Sequence, residues 1–513
     1  MAENPDQPLL KVRQKGLLTI AIMAATLLQV LDTTIANVAL PHMQASLGAT
    51  QDSISWVLTS YIVASAIAIP ITGWLADRIG SRRLFIVSVC TFVVASMLCG
   101  IATSLIEMVL FRLIQGISGA FIAPLAQSLL LDINRKSDHA KAMSIYGMGI
   151  MIGPIAGPIL GGWLTENFNW RWVFYVNVPV GILCIALLLW LLPSKATVKR
   201  HFDATGFALL GLGLAALQLV LDRGEHVDWF NANEIWIETG IAAAAFWMFG
   251  VHAFTAKSPL FPKDLWRDRN MVSGAIFMFV LGVLTMSAMA LLPPMLQSLF
   301  GYPVLETGTL LASRGMGVLI TMFLVGRISH FVDLRLMVFV GFVICAGSLW
   351  MMTGWSLEMD WVPVVESGFV QGLGLGLIFV PLNILSFATL HPAYRTDGAS
   401  LLNLSRNIGS SIGIALMAAL LTRNTQISHA DLAQHATFES LPLDPAMSGI
   451  LGATGDSAMA MLNGEVTRQA AMIAYLDDFK LMTIATLLVL PLILLLKRPT
   501  PRKPGDELPV MAE

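Results

Sequence analysis

Gly73-Trp-Leu-Ala-Asp77-Arg78-Ile-Gly80-Ser-Arg82-Arg83 is a short charged island between two apolar runs, 54–75 and 84–103. Each run is about as long as the roughly 20 residues a helix needs to cross hydrocarbon. Working outward, the same pattern continues along the chain. Fourteen such blocks are expected, at 17–38, 54–75, 84–103, 107–131, 141–164, 172–192, 204–221, 235–255, 271–292, 305–327, 336–354, 361–383, 399–421 and 478–496. They are continuous and about twice the length of a barrel strand, so helices are expected and a membrane β-barrel is not. Of 513 residues, 56% are hydrophobic and 12% charged, and mean hydropathy is +0.72. Soluble proteins carry about 25% charged residues. The 31 Lys+Arg nearly balance the 33 Asp+Glu. A soluble enzyme, a disordered scaffold and a nucleic-acid binder are therefore excluded, and the bilayer is the expected solvent.

Loop charge predicts the orientation. With the N-terminus inside, 23 of the 31 Lys+Arg fall in cytoplasmic segments, five outside and three within spans. Lys11, Arg13 and Lys15 precede the first apolar run, but that run continues past signal-peptide length into Asp32 and Asn37, so no cleaved signal is expected. Cys90, Cys99, Cys184 and Cys345 all fall inside spans, which suggests neither structural disulfides nor a metal site.

The charged island has an echo 253 residues on, Gly326-Arg-Ile-Ser-His330-Phe-Val-Asp333-Leu-Arg335, and Gln115-Gly116 is echoed by Gln371-Gly372. Chance likeness among Gly-rich membrane segments competes with a repeat. A repeat of two six-span halves, with two further spans inserted between them, accounts for the echoes and keeps the second half in the same orientation. Such repeats are typical of secondary transporters. The resulting division is a cytoplasmic segment 1–16, a six-helix bundle 17–192, a linker with two extra spans 193–270, a second bundle 271–496 that includes an outer loop 422–477, and a cytoplasmic tail 497–513.

Several motifs carry a family resemblance. Gly73 to Arg83 resembles the loop between spans two and three of the major facilitator superfamily. Leu110-Phe-Arg112-Leu-Ile-Gln115-Gly116-Ile-Ser-Gly119 is similar to its fourth-span motif. Gly149-Ile-Met-Ile-Gly153-Pro154-Ile-Ala-Gly157-Pro158-Ile-Leu-Gly161-Gly162 resembles the fifth-span motif of its antiporters. Leu31-Asp32-Thr-Thr-Ile-Ala-Asn37-Val-Ala-Leu-Pro41, together with Trp170-Arg171-Trp172, Asn177 and Pro179, resembles the fourteen-span drug:proton antiporter branch. The resemblance covers nearly the whole chain. It implies export of hydrophobic drugs and toxic compounds across a bacterial inner membrane, driven by proton entry and without a cofactor. It also implies a periplasmic membrane-fusion adaptor and an outer-membrane channel as partners.

The candidate site residues follow from the cost of polarity in a membrane. Asp32 is the leading proton carrier, with Arg112 as the cation that its protonation would release; a static ion pair is the competing reading. Both are expected near the outer ends of their spans. Glu366 is either a further protonation site, a counter-charge for cationic drugs, or an interfacial carboxylate in water. Arg314 either binds an anionic substrate or compensates Glu366. Asn403, Arg406 and Asn407 form a polar stripe that lines the substrate pathway or bonds between helices; Asn37, Gln115 and Gln371 are assigned to the same pathway. Gly149, Gly153, Gly157 and Gly161 recur every four residues and make one smooth helix face, while Pro154 and Pro158 favour bending, as suits a gate. Gly73, Asp77, Arg78, Gly80, Arg82 and Arg83 are expected to latch helix ends on the cytoplasmic side, or else only to set topology. The second-half loop has His330 where the first has Asp77, so the latch is assigned to the first. Some of the 27 Met and 25 Phe suit a cavity for varied apolar ligands. The loop 422–477 is expected to dock the adaptor or to form a flexible cap, and His429 and His435 lack metal-ligand spacing. No phosphate-binding loop and no catalytic constellation stands out. A facilitator or importer of the same fold, or a membrane receptor, remains the alternative; Asp32 and the Gly/Pro repeat argue against both.

Overall fold

The computed structural model describes residues 7–194, 197–198, 200–224, 227–329, 331–435 and 455–497. The described residues contain no strand. Fourteen helices are long and apolar enough to cross a membrane. The first six are α1 (Lys15–Leu47), α2 (Trp56–Ile79), α3 (Ser81–Ile101), α4 (Leu105–Ile133), α5 (Lys136–Asn167) and α6 (Trp172–Leu191). An inserted pair follows, α7 (Ala204–Arg223) and α8 (Asn233–Thr255). The last six are α9 (Arg269–Ser298), α10 (Val304–Ile328), α11 (Leu334–Met352), α12 (Val362–Ala388), α13 (Pro392–His435) and α14 (Ala460–Leu495).

Local chemistry sets several boundaries. Asp203, Asp268 and Asp333 cap α7, α9 and α11, each accepting backbone N–H groups that the first helical turn leaves free. Gly48, at φ 62°, ends α1 in the left-handed region. Gly80 turns the chain between α2 and α3 at φ 91°, a conformation an L side chain rarely adopts. Pro70 lies in a 3-10 turn, Ile69–Ile71, that interrupts α2.

Packing repeats between the two six-helix sets. In the first, α1 packs on α5, α2 on α4, and α3 on α4 and α6; in the second, α9 packs on α13, α10 on α12, and α11 on α12 and α14. Glycines make several of these approaches close. A methyl group at Gly409 would lie 2.0 Å from the Phe279 carbonyl oxygen, and one at Gly317 2.3 Å from that of Phe369. The halves meet chiefly through α5 with α10 and α12, and through α13 with α2 and α4. The inserted α7 packs on α8 and leans on α2, where the Thr59 hydroxyl donates to Asp222.

Three helices run well past the apolar blocks. α1 continues to Leu47 through Pro41, so Asp32 sits mid-helix rather than near an end. α13 continues to His435, and the last helix is already formed at Gly455. Much of the segment expected as an outer loop, 422–477, is therefore helix. The apolar run marks only the part in hydrocarbon; the helix continues wherever helix-compatible residues follow. The His429 ring and the Asn463 amide oxygen are 2.9 Å apart, tying the two extensions together.

Candidate functional site

The first half encloses a polar cluster with no exposure. Asp32 comes from α1, Arg112 and Gln115 from α4, and Asn177 from α6, and all four are 0% exposed. Arg112 Nη1 donates to Asp32 Oδ2 at 2.5 Å. The amides of Gln115 and Asn177 donate to Asp32 Oδ1 at 2.8 and 2.9 Å. Arg112 also donates to Gln115 Oε1 at 2.8 Å and through Nε to the Val57 carbonyl at 3.0 Å. Its guanidinium lies 4.5 Å from the Tyr61 ring centre, a cation–π contact. Asn177 donates a second bond to Ser96, which in turn donates to the Phe174 carbonyl. A buried ion pair persists only when further hydrogen bonds satisfy it, and here helices α1, α2, α4 and α6 all contribute. The arrangement fixes Asp32 and Arg112 as a fully buried ion pair that ties α1 to α4. Asn177, which the sequence offers only as part of the family resemblance, stands three residues after Phe174 and supplies a second amide donor to Asp32.

The repeated glycines of α5 face α1, the helix that carries Asp32. Methyl groups at Gly149, Gly153, Gly157 and Gly161 would lie 2.2 Å from Met23, 2.7 Å from Val30, 2.1 Å from Thr34 Oγ1 and 3.1 Å from Ile35. Pro154 and Pro158 are inside α5. Elsewhere α5 meets the second half: Gly315 approaches Ile155, and Gly147 approaches Met322 and Phe379. α5 therefore stands between the Asp32 helix and the other half.

A second cluster lies at the end where α1 begins, here termed the basic face. Arg200, from the linker before α7, reaches Asp397 of α13 at 2.9 Å and Asp77 of α2 at 3.3 Å. Burial disfavours the Arg200 charge, but the Asp397 and Asp77 carboxylates outweigh it and hold its pKa above the ordinary value. Gly73 makes room for this: a methyl there would lie 1.9 Å from Asp397 Oδ1. The Val198 N–H donates to the Asp77 carbonyl, and the Trp74 indole to the Arg200 carbonyl. Beside it Arg395 pairs with Asp132 at 2.8 Å, Ser128 and Thr396 lie 2.9 Å apart, and Ser400 donates to the Ile69 carbonyl at 2.5 Å. Of the expected latch residues, Gly73 and Asp77 meet this cluster. Arg82 donates instead to the Leu189 carbonyl at 2.7 Å, and Arg78 and Arg83 are exposed. His330 falls outside the described residues. Arg200, Asp397, Asp132 and Arg395 carried no signal in the sequence, because their partners lie far away along the chain.

The remaining candidates are spread through the second half. Asn403 donates to Gln127 of α4 at 3.0 Å and accepts from Arg406 at 3.1 Å. Arg314 donates to the Thr285 carbonyl at 3.3 Å. Gln371 is 2% exposed, and its carbonyl accepts from the Cys345 thiol. Asn407 is half-buried and Asn37 exposed. Glu366 is exposed and borders a cavity of about 160 Å³ with Met351, Trp355 and Met359, apart from the Asp32 cluster. No group of His, Cys, Asp and Glu among the described residues has the arrangement of a metal site.

Residues 22–414 match the family model described as Major Facilitator Superfamily. The chain belongs to the major facilitator superfamily. Within it, the chain is of the EmrB type: it is 34% identical over 503 residues to the multidrug export protein EmrB of Escherichia coli (strain K12), covering 96% of this chain and 98% of that protein. It is 35% identical to EmrB of Haemophilus influenzae, covering 94% and 96%. The fatty acid resistance protein FarB of Neisseria gonorrhoeae is 34% identical, covering 96% and 98%. The superfamily fold also appears in a solved structure, the human organic anion transporter MFSD10 (TETRAN), with a TM-score of 0.58 at 13% identity over 92% of this chain and 99% of that one. This major facilitator is a multi-pass membrane protein and a transporter rather than an enzyme.

Proposed function

We propose that this EmrB-type transporter exports hydrophobic toxic compounds in exchange for protons by alternating access. The carrying observation is the fully buried Asp32–Arg112 pair at the centre of a transporter half. Asp32 is a proton site whose occupancy changes a charge contact. Protonation cancels its charge and loosens its hold on Arg112, Gln115 and Asn177, which frees α4 and α6 to shift against α1. The close α1–α5 seam passes that movement to α5, and α5 passes it to α10. Proton entry supplies about 2.3 kcal/mol per 100 mV of potential for each charge moved.

The excess of Lys and Arg at the basic face supports a cytoplasmic assignment for that face under the positive-inside rule. The ion pairs Arg200–Asp397 and Arg395–Asp132 then tie α13 of the second half to the linker and to α4 at the cytoplasmic side. Arg200→Gln is expected to lower efflux about fivefold or more, within the usual range of coupling between states, while drug affinity stays unchanged. Parallel measurement of transport and equilibrium binding tests this, and unchanged efflux would remove the latch from the cycle.

The paired helical extensions support docking of a periplasmic adaptor in a bacterial inner-membrane assembly that continues to an outer-membrane channel. Deleting 430–465 is expected to abolish adaptor co-purification while leaving drug binding intact; undiminished co-purification would reject docking there. The decisive experiment for export is drug-driven proton movement in reconstituted vesicles. Proton flux that depends on an apolar drug supports antiport. Drug binding without flux favours a receptor.

A further inference from the structure

A guanidinium has five N–H groups. Nε and Nη1 of Arg112 direct theirs to Val57, Asp32 and Gln115. Nη2 has no acceptor among the described residues, although the side chain is 0% exposed. What faces the guanidinium instead is aromatic. Its central carbon lies 4.5 Å from the Tyr61 ring centre and 5.9 Å from that of Phe174, both within cation–π range. Both rings are held in place. Gly116 and Gly119 follow Arg112 by four and seven residues, on the same face of α4. A methyl at Gly116 would lie 2.5 Å from the Tyr61 carbonyl oxygen, and one at Gly119 2.8 Å from the Tyr61 hydroxyl. These bare positions let α2 seat Tyr61 against the arginine's own helix. Trp170 meets Phe174 edge to face, at 6.4 Å and 88°, and the Phe174 carbonyl accepts from Ser96.

The contacts of Arg112 divide by helix. Asp32 comes from α1, Val57 and Tyr61 from α2, Gln115 from α4 itself and Phe174 from α6. Protonating Asp32 would remove the charge contact with α1 and leave the others standing. The face of an aromatic ring carries negative potential. It favours the guanidinium charge, disfavours a carboxylate charge nearby, and needs no proton to do so. Of the other titratable groups around the site, Cys99 of α3 directs its thiol at Gln115 Oε1, and Asp222 of α7 is held by Thr59, two residues before Tyr61.

We propose that Tyr61 and Phe174 are positioning residues that retain Arg112 while Asp32 carries a proton, and that they thereby set the pH at which the pair switches. The proposal rests on the proton reading above and deepens it. Arginine cannot shed its charge when Asp32 is neutralised. The two rings then supply much of the remaining electrostatic support. Arg112 stays with α2 and α6, and α1 is the helix set free. Removing a ring weakens that support most in the protonated state, because in the paired state Asp32 still balances the cation. Protonation then becomes harder and requires more acid.

The test uses the full chain in nanodiscs. The infrared carbonyl band of a protonated carboxyl group, assigned to Asp32 by its loss in Asp32→Asn, is followed against pH. Tyr61→Leu is expected to move its midpoint about one pH unit towards acid, the scale of a desolvated cation–π contact. Phe174→Leu should move it less in the same direction, because that ring is farther away. Tyr61→Phe keeps the ring and should restore the wild-type midpoint. An unmoved midpoint in both Tyr61→Leu and Phe174→Leu overturns the proposal. So does a shift in Tyr61→Phe as large as in Tyr61→Leu. A second measurement needs no proton. Asp32→Asn mimics the protonated carboxyl, so Tyr61→Leu should lower the thermal midpoint further in that background than in wild type. Equal falls in the two backgrounds are what a merely structural ring predicts, and they overturn the proposal. If wild type shows no titrating band that Asp32→Asn removes, the proton reading of Asp32 fails, and the thermal comparison still decides the role of the rings.

Discussion

Proteoliposomes carrying Asp32→Asn are expected to show proton-driven drug transport at background level, whereas drug exchange at equal pH on both sides continues. The geometry explains both halves of this result. Asn preserves the size of the side chain, so Gln115 and Asn177 keep an acceptor within 2.8–2.9 Å. It removes the charge that responds to protonation, so the cluster is held in one electrostatic state. Its cost falls on Arg112, which is 0% exposed and loses its counter-ion. Breaking one partner of a buried pair costs about 3–5 kcal/mol. The thermal midpoint of the purified variant should therefore fall. In the double variant Asp32→Asn/Arg112→Gln no charge remains stranded, and much of that stability should return without recovery of proton coupling. A static structural pair predicts the opposite for the double variant, with stability and transport returning together. Proton-coupled transport by Asp32→Asn alone at wild-type rate would remove Asp32 from the mechanism.

Gly157→Leu is the second large effect. A side chain there begins with an atom 2.1 Å from Thr34 Oγ1 and 2.7 Å from Thr34 Cβ. Thr34 is β-branched and stiff, and its hydroxyl already bonds the Val30 and Leu31 carbonyls of its own helix. The neighbour cannot yield, so α1 and α5 must separate. Overpacking of this kind costs about 1–3 kcal/mol, enough to distort a seam but small beside the drive for membrane insertion. Efflux should fall to background while the protein remains at wild-type level in the membrane fraction. Gly162 supplies the control, because a methyl there meets nothing within 4 Å. Gly162→Leu should export normally. If both variants behave alike, the seam is not what matters.

Much of this architecture was legible in the sequence, for identifiable reasons. A charge within an apolar run stands out, so Asp32, Arg112, Arg314 and Arg406 could be singled out from residue type alone. A four-residue glycine period is also visible, although not which helix it faces; α1 rather than the opposite half is a fact of tertiary packing. The interlock at the basic face was half legible. Gly73 and Asp77 belong to a recognisable motif, but Arg200 lies 123 residues from Asp77 and 197 from Asp397. Neither partner is unusual in a loop or at a helix end. Span ends were the weakest reading, because apolarity measures contact with hydrocarbon and helical hydrogen bonding continues beyond it.

That continuation has a mechanical side. α13 spans 44 residues, about 66 Å at 1.5 Å per residue, against a hydrocarbon core of about 30 Å. One rod joins Asp397, Arg406 and His429. From the level of Arg406 to His435 is 29 residues, a lever arm of roughly 43 Å. Rocking the second half by about 15°, the scale of known subunit rotations, would sweep its tip through roughly 11 Å. Whatever rests on that tip would sense each turnover as a displacement, like a follower riding on a cam.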